Sequence, residues 1–250
     1  MKLYNKVAIV TGGARDIGRA VSVKLAIAGA KVVVNYFHNK EEAEETLDII
    51  KRAGGTAIAV GGDMTNADDV ANIVKKTVEA FGDHIDILVN VAGGIIGRKK
   101  ITEQDEKWYD TLMNVNFKTV WFMTREVVPY MGPGSSIVNF SSLAARDGGG
   151  PGASLYATSK AAVTTFTRAM AKELGPDGIR VNAICPGTIA TSFHDRFNTP
   201  ENRERAKAGY ALRREGTAEE CADLVVYLAS DDSSYITGAN IDINGGSFFS

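Results

Sequence analysis

Seven short apolar runs, separated by stretches with helical periodicity, constrain the fold of this chain more than any other feature. A run that is apolar at nearly every position, rather than at alternate positions, is typical of a strand buried on both faces. Such strands alternating with helices indicate a parallel sheet covered by helices on both sides, the doubly wound Rossmann-type class. The runs span 7–10, 31–34, 56–60, 85–89, 136–140, 179–184 and 240–243, and the helical stretches span 17–28, 40–53, 67–81, 104–130, 156–174 and 217–229. We therefore predict a single-domain α/β fold over residues 1–250, with a seven-stranded parallel sheet flanked by helices.

Charge and cysteine content argue against several classes of function. A net charge of −2 gives no electrostatic attraction to nucleic acid or to an anionic membrane. The two cysteines, Cys185 and Cys221, and the three histidines lack the spacing of a metal site or of a disulfide framework. Four apolar residues lie between Lys6 and Thr11, too few for a secretion signal, and no apolar run approaches the ~18 residues of a membrane span. We expect a cytoplasmic protein with no metal that binds neither nucleic acid nor a membrane.

A glycine-containing turn follows the first predicted strand. It reads Thr11-Gly-Gly-Ala-Arg15-Asp16-Ile-Gly18 and leads directly into the first predicted helix. In an open parallel sheet, ligands bind at the carboxyl ends of the strands, and glycines there let the backbone approach a pyrophosphate. The helix N-terminus adds N–H donors and a partial positive charge. The turn is therefore a candidate dinucleotide site, although a tight turn without a ligand could have the same residues.

Tyr156 and Lys160 form a candidate reactive pair. On a helix they share a face, so the ammonium would favour the phenolate and lower the pKa of the phenol. A tyrosine with a lowered pKa can pass protons near neutral pH, and Ser142, fourteen residues upstream, could hydrogen-bond the substrate oxygen. Tyr36 and Lys40 have the same spacing, so spacing alone does not choose between the two pairs.

The order of these motifs resembles that of the short-chain dehydrogenase/reductase family. The resemblance covers 7–246, nearly the whole chain, and implies a nicotinamide cofactor and a reaction that interconverts a carbonyl and an alcohol. It also implies that Tyr36 and Lys40 lie at the adenosine end of the cofactor, which leaves Tyr156 and Lys160 as the reactive pair. The matching motifs are Thr11-Gly-x-x-x-Asp16-Ile-Gly18, Asn90-Val-Ala-Gly93, Asn116, Ser142, Tyr156-x-x-x-Lys160 and Pro186-Gly187.

The resemblance implies roles for four catalytic residues. Tyr156 would be the general acid for carbonyl reduction or the base for alcohol oxidation, and Ser142 would stabilise the developing oxyanion. Lys160 would lower the pKa of Tyr156 and hold the nicotinamide ribose. Asn116 would hold a water that links Lys160 to solvent, with Asn114 as the alternative asparagine.

The end of the second predicted strand bears on the choice between NADP(H) and NAD(H). NAD sites usually carry an acidic residue there, whereas NADP sites use basic residues for the 2′-phosphate. Here no acid occurs before Glu41, and Arg15 lies in the first turn. The sequence therefore favours NADP(H), with NAD(H) as the alternative. The residues that the resemblance assigns to the cofactor are Gly12, Arg15, Asp16, Ile17, Asn35, Asp63, Met64, Asn90, Ala92, Gly93, Tyr156, Lys160, Pro186, Gly187, Ile189 and Thr191.

Two positions depart from the family pattern. Asp16 replaces a glycine, and a carboxylate beside a pyrophosphate is unfavourable unless it points away, for example as the N-cap of a helix that begins at Ile17. Replacing Asp16 with glycine should then leave NADP(H) binding as strong or stronger. Val91 replaces an asparagine, which could alter a hydrogen bond between strands without touching a catalytic group.

The sequence leaves the small-molecule substrate open. Specificity should come from 192–214 and from the glycine-rich insert 146–152. A sugar, a polyol or a sugar acid is one candidate substrate class. The residues placed to meet such a polar or anionic substrate are Arg98, Lys99, Lys100, Arg146 and His194.

Two other functions stay open. Many similar proteins reduce 3-oxoacyl groups on an acyl carrier protein, which they bind through basic residues, but the corresponding stretches 131–135 and 175–178 contain no base. A cofactor-binding scaffold without chemistry would usually lack the tyrosine or the lysine, and this chain keeps both. Apolar residues over 114–128 and small residues over 156–174 suggest a subunit interface, and the resemblance points to a homotetramer.

Overall fold

Seven parallel strands form one sheet in the structure, a computed structural model that describes residues 1–192 and 200–249. The strands are β1 (Val7–Thr11), β2 (Lys31–Tyr36), β3 (Thr56–Gly61), β4 (Ile87–Asn90), β5 (Ser136–Phe140), β6 (Arg180–Pro186) and β7 (Asn240–Ile243). Their order is β3-β2-β1-β4-β5-β6-β7, and every neighbouring pair is parallel. The predicted doubly wound fold is confirmed.

Helices cover both faces of this sheet. They are α1 (Asp16–Ile27), α2 (Lys40–Arg52), α3 (Ala67–Phe81), α4 (Glu106–Met113), α5 (Thr119–Val127), α6 (Ala144–Asp147), α7 (Ser154–Leu174), α8 (Pro200–Lys207) and α9 (Ala218–Ala229). Local capping explains several starts: Asn66 accepts hydrogen bonds from two amides of α3, and Thr217 forms a capping box with Glu220. Over the described ranges, none of these helices is both long and apolar enough to cross a membrane.

The strands are buried on both faces because their side chains alternate between two apolar cores. In β1, Ala8 and Val10 lie in one core, whereas Ile9 lies in the other. Val21 of α1 and Val225 of α9 pack in the first core. The second core is closed by Ile73 of α3, Met123 of α5 and Leu174 of α7.

One predicted helix is interrupted. The stretch predicted as helical over 104–130 consists of α4, a π-helical turn at Asn114–Lys118 and α5, with a short 3₁₀ turn at Val128–Tyr130. A π turn holds an extra residue and so shifts the side chains on either side of it around the helix axis. Two short helices, α6 and α8, lie where loops were expected.

The strand order reverses between β1 and β4. The chain runs from β1 outward through β2 and β3, and from β4 outward in the other direction, so the connections diverge and leave a crevice at the carboxyl edge. The register pairs Thr11 with Asn90 and Asn90 with Asn139, so the segments after β1, β4 and β5 begin at the same level. This crevice is where a ligand would bind.

Candidate active site

The turn after β1 packs too tightly for side chains at its glycines. Gly12 has a φ of +60°, and a Cβ on Gly18 would lie 2.0 Å from the carbonyl oxygen of Gly12. Asn35 supports the turn, because its Oδ1 accepts a hydrogen bond from the amide of Gly12 at 3.0 Å. The N-terminus of α1 therefore faces the crevice with its first N–H groups lacking intrahelical partners. A backbone cradle of this kind fits a pyrophosphate.

Several residues predicted to meet the adenosine end have structural contacts of their own. Asn35 is buried, and its Nδ2 donates to three backbone carbonyls between Tyr36 and Gly62. Asp63 Oδ1 accepts hydrogen bonds from the amide and the hydroxyl of Thr65, both at 2.8 Å. The side chain of Met64 packs in the core. Asn35 thus shapes the turn after β1 and is itself removed from solvent.

Asp16 does not cap α1, and that prediction is wrong. It is the first helical residue, with a left-handed φ of +48° that aspartate tolerates, and Arg15 stands at the N-cap without a side-chain bond. The Asp16 carboxylate instead accepts hydrogen bonds from the amide and the hydroxyl of Ser192, at 3.0 and 2.7 Å. It also lies 3.9 Å from Nε of Arg15. The carboxylate therefore joins the turn after β1 to the loop after β6.

The segment after β4 is tied to both neighbouring strands. Thr11 Oγ1 accepts hydrogen bonds from the amides of Val91 and Ala92, at 3.0 and 3.1 Å. Asn90 is buried and donates from Nδ2 to Oδ1 of Asn139 in β5 at 2.9 Å. Asn90 and Ala92 thus form the floor of the crevice between β1 and β5.

The π turn places Asn116 against this segment. Its Oδ1 accepts a hydrogen bond from the amide of Gly94 at 2.9 Å, and its Nδ2 donates to the carbonyls of Gly94 and Leu112 at 3.0 Å each. A Cβ on Gly93 would lie 2.8 Å from Asn116 Oδ1 and 3.2 Å from Lys160 Nζ, so these groups converge on a glycine. Both N–H donors of Asn116 are used, so its side chain anchors Gly94, and its role in holding a water stays a prediction.

Ser142, Tyr156 and Lys160 meet where β5 and α7 approach each other. The Ser142 hydroxyl lies near the Tyr156 phenol and lowers its pKa. Ser142 Oγ also accepts the amide of Ala144 at 3.1 Å, which holds the hydroxyl in place at the start of α6. Lys160 is buried, and its ammonium donates to the carbonyl of Phe140 at 2.8 Å.

The protonation of this group differs from the expectation. Burial raises the pKa of Tyr156, and the hydrogen bond with Ser142 and the charge of Arg98 offset only part of that rise. Burial also lowers the pKa of Lys160 from 10.5 to about 8, so it remains charged at neutral pH. Tyr156 is therefore a phenol that holds its proton at neutral pH, one helical turn from a buried cation.

The other pair of the same spacing lacks these surroundings. Tyr36 ends β2, and Lys40 begins α2, where its exposed ammonium pairs with Glu44 at 3.1 Å. The ring of Tyr36 lies against Gly61 of β3. Only the pair on α7 thus combines a buried ammonium with a serine hydroxyl.

The loop after β6 borders the same site. The amide of Leu143, next to Ser142, donates to the carbonyl of Pro186 at 2.9 Å. A Cβ on Gly187 would lie 2.9 Å from Asn244, so glycine is needed there. Beyond it, Ile189 is buried, and the hydroxyl of Thr191 donates to the carbonyl of Ile189 at 3.2 Å.

The residues predicted to contact the substrate make different interactions in the structure. Arg146 pairs with Asp242 at 3.3 Å and donates to the carbonyl of Asn240, so it secures β7, and its prediction as a substrate contact is wrong. The ammonium of Lys99 lies over the ring of Trp108, 4.6 Å from its centre. His194, with the rest of 193–199, lies outside the described residues. Among the residues that are described, no cluster of His, Cys, Asp or Glu could hold a metal ion.

Fold and site together define a doubly wound α/β protein with a dinucleotide-type turn and a serine, tyrosine and lysine at the same sheet edge. A family model described as Enoyl-(Acyl carrier protein) reductase matches residues 12–247. The 3-oxoacyl-[acyl-carrier-protein] reductase FabG of Thermotoga maritima is 40% identical over 253 residues, which cover 98% of this chain and 99% of that protein. The chain belongs to the short-chain dehydrogenase/reductase family and is an oxidoreductase.

Solved structures agree with this assignment. A short-chain dehydrogenase from Burkholderia cenocepacia in complex with NADP superposes with a TM-score of 0.92 at 33% identity, over 99% of each chain. An NADH-dependent reductase A1-R′, described as responsible for alginate metabolism, has a TM-score of 0.91 at 34% identity, again over 99% of each chain. The family thus includes similar structures that use either nicotinamide cofactor.

Proposed function

We propose that this protein interconverts a carbonyl compound and a secondary alcohol with NADP(H), and that Tyr156 passes the proton. The observation that carries the proposal is the buried ammonium of Lys160, which lies one helical turn from Tyr156 on α7 and donates to the carbonyl of Phe140, two residues before Ser142. A bound nicotinamide supplies or accepts the hydride. Ser142 then donates to the substrate oxygen, and Tyr156 gives that oxygen its proton in reduction. Asn116 acts indirectly, by holding Gly94, the neighbour of the glycine that Lys160 approaches.

The choice of NADP(H) rests on charge at the adenosine end. The side chain of Arg15 is half exposed, at 49%, and at 3.9 Å from Asp16 it is only loosely paired, so it remains able to bind a 2′-phosphate. No acid stands between the end of β2 and Glu41 to bind the ribose hydroxyls of NAD(H) or to repel that phosphate. A similar protein in complex with NADP agrees with this choice, whereas the NADH-dependent neighbour keeps NAD(H) as the alternative.

For the substrate we favour a small polar carbonyl compound of the sugar, polyol or sugar-acid kind. The alternative is a 3-oxoacyl group on an acyl carrier protein, which the similarity to FabG supports. Against it, the turn at Gly175–Asp177 exposes Asp177, and an exposed carboxylate repels an acidic carrier protein. No basic residue in 131–135 compensates for this.

Turnover with a panel of ketones, sugars, sugar acids and acyl thioesters, each with NADPH and with NADH, tests the proposal. We expect at least one polar carbonyl compound to be reduced, with a higher kcat/KM for NADPH. Arg15→Ser should lower kcat/KM for NADPH roughly 10-fold and leave that for NADH nearly unchanged, because one charge-assisted contact to the phosphate is lost. Absence of turnover over the whole panel would contradict the enzymatic assignment, and an equal loss for both cofactors would contradict the role of Arg15.

Replacing Asp16 with glycine is expected to tighten NADPH binding a few-fold, because a partly exposed carboxylate near the cradle repels the pyrophosphate. Asp16→Asn is the matched variant: it removes the charge, tolerates the left-handed backbone and retains an acceptor for Ser192. Fluorescence titration of NADPH gives the Kd of each protein. A large rise in Kd in both variants would instead make the carboxylate a positive contributor to binding.

We further propose a homotetramer. Tyr109 on α4 and Trp121 on α5 are large apolar side chains that are 49% and 40% exposed. Small residues, Thr165 and Ala169, lie on the exposed face of α7, where another helix could approach closely. Side chains of this kind support an interface between subunits.

A further inference from the structure

Arg98 lies in the loop that follows β4 and is exposed, yet the structure holds it in one place. Its Nη1 donates to the carbonyl of Pro151 at 3.1 Å, in the loop that leads into α7. The next residue reinforces the contact, since the amide of Lys99 donates to the carbonyl of Gly152 at 3.2 Å. Gln104 adds a second tie, donating to the carbonyl of Lys99 and to the hydroxyl of Ser154. Arg98 thus helps to join the loop after β4 to the loop that leads into α7, the helix that carries Tyr156.

The glycine-rich insert leaves room for this side chain. A Cβ on Gly150 would lie 3.2 Å from Nη1 of Arg98, and one on Gly152 would lie 3.0 Å from its Cβ. Gly152 also has a φ of +78°, which disfavours any other residue. The insert therefore lets the guanidinium lie close against the backbone.

No acidic side chain of the described ranges forms an ion pair with Arg98. Other arginines close to this edge are neutralised: Arg146 pairs with Asp242, and Arg214 pairs with Glu220. The Arg98 guanidinium uses one N–H in its hydrogen bond to Pro151, so most of its donors remain available. Its charge also acts on the phenol of Tyr156, where it lowers the pKa against the larger effect of burial. An unneutralised cation therefore lies against the loop that leads into α7, the helix that carries Tyr156.

We propose that Arg98 binds a carboxylate of the substrate and so directs the protein toward oxo acids, sugar acids among them. The proposal rests on the proposed function and names the substrate class of the same site. A guanidinium forms two parallel hydrogen bonds to a carboxylate, which would fix the substrate relative to Ser142 and Tyr156. One guanidinium balances a monoanion, whereas a phosphate dianion would keep uncompensated charge. A 3-oxoacyl thioester has no charge beside its carbonyl and would gain nothing from this contact.

An oxo acid and its methyl ester, which differ only in charge, test the proposal. We expect the wild-type protein to prefer the acid, and we expect Arg98→Gln to lower the acid-to-ester ratio of kcat/KM roughly 10- to 100-fold, the effect of losing hydrogen bonds between charged groups. Glutamine keeps a neutral donor at this position, and the loops keep the main-chain bond between Lys99 and Gly152. Arg98→Lys should retain part of the preference for the acid, because lysine keeps the positive charge but cannot form two parallel hydrogen bonds to a carboxylate. Lys107→Gln, which removes an exposed charge on α4, is the control and should leave the ratio unchanged.

The outcomes separate this inference from the proposed function. An equal loss for acid and ester in Arg98→Gln would overturn the inference and give Arg98 a role in loop position only. A wild-type preference for the ester, or for a phosphate-bearing ketone over the oxo acid, would also overturn it. In each of these cases turnover of the ester that depends on Tyr156 would leave the proposed function standing. If no carbonyl compound were turned over, the proposed function itself would fail.

Discussion

Replacing Tyr156 with phenylalanine is expected to lower kcat by about 10²- to 10⁴-fold, the usual contribution of a general acid, and to leave NADPH affinity nearly unchanged. The phenol lies near Ser142, and burial raises its pKa further above neutral pH, so it carries its proton. Phenylalanine removes this proton donor but keeps the ring, and it alters no group of the cradle after β1. Steady-state kinetics give kcat, and fluorescence titration gives the Kd of NADPH.

Tyr36→Phe is the matched control, because Tyr36 stands four residues before a lysine as Tyr156 does. Tyr36 ends β2, and Lys40 is bound to Glu44. We therefore expect the kcat of Tyr36→Phe to stay near that of the wild-type protein. Wild-type turnover in Tyr156→Phe would remove Tyr156 from the mechanism. A comparable loss in Tyr36→Phe would mean that the adenosine end, and not the phenol on α7, limits the reaction.

The fold can be predicted from the sequence because its signal is local. The central strands are mostly apolar, as in β1, and this pattern indicates burial on both faces without knowledge of the neighbouring strands. The turn residues and caps mark where the helices begin, and the boundaries differ by a residue or two. The exceptions are the short helices α6 and α8 and the π turn before α5. The residues of the π turn are compatible with a regular helix, and the turn places Asn116 against Gly94.

The candidate site is predictable in its parts but not in its contacts. Helical spacing places Tyr156 and Lys160 on one face of α7, yet the direction of the ammonium toward Phe140 depends on how β5 packs beneath that helix. The raised pKa of Tyr156 has the same origin, because burial is a property of the assembled site and not of the spacing. The bond between Asp16 and Ser192 joins residues 176 positions apart, and no local pattern indicates it.

Replacing Lys160 with methionine is expected to reduce turnover by more than about 10²-fold and yet to stabilise the protein. Burial lowers the pKa of Lys160 from 10.5 to about 8, a change that disfavours the folded state by about 3 kcal/mol at neutral pH. Loss of the hydrogen bond to Phe140 offsets about 1–2 kcal/mol of this, and methionine fills a similar apolar volume. The free energy of unfolding should therefore rise by about 1–2 kcal/mol below pH 8.

The stability of the wild-type protein depends on pH because the folded and unfolded states release the Lys160 proton at different pH values. The unfolded chain keeps the Lys160 proton up to a pH near 10.5, whereas the folded chain releases it near 8, so the unfolded state binds more protons between these values. Wild-type stability therefore gains a contribution as the pH rises through this window. Methionine does not titrate, so the advantage of the variant should be largest below pH 8 and should shrink toward 10.5.

Urea unfolding of both proteins across this window, without added nucleotide, measures the difference. Lys172→Met is the control on the same helix, because Lys172 is exposed and the difference it causes should not change with pH in this way. If Lys160→Met were less stable than the wild type below pH 8, the buried ammonium would not be destabilising. A difference in the free energy of unfolding that is the same at every pH would also contradict this destabilisation. If Lys160 were retained for folding, its replacement would lower both the stability and the activity of the protein. Lost turnover with gained stability would therefore identify Lys160 as a residue kept for the reaction at the expense of the fold.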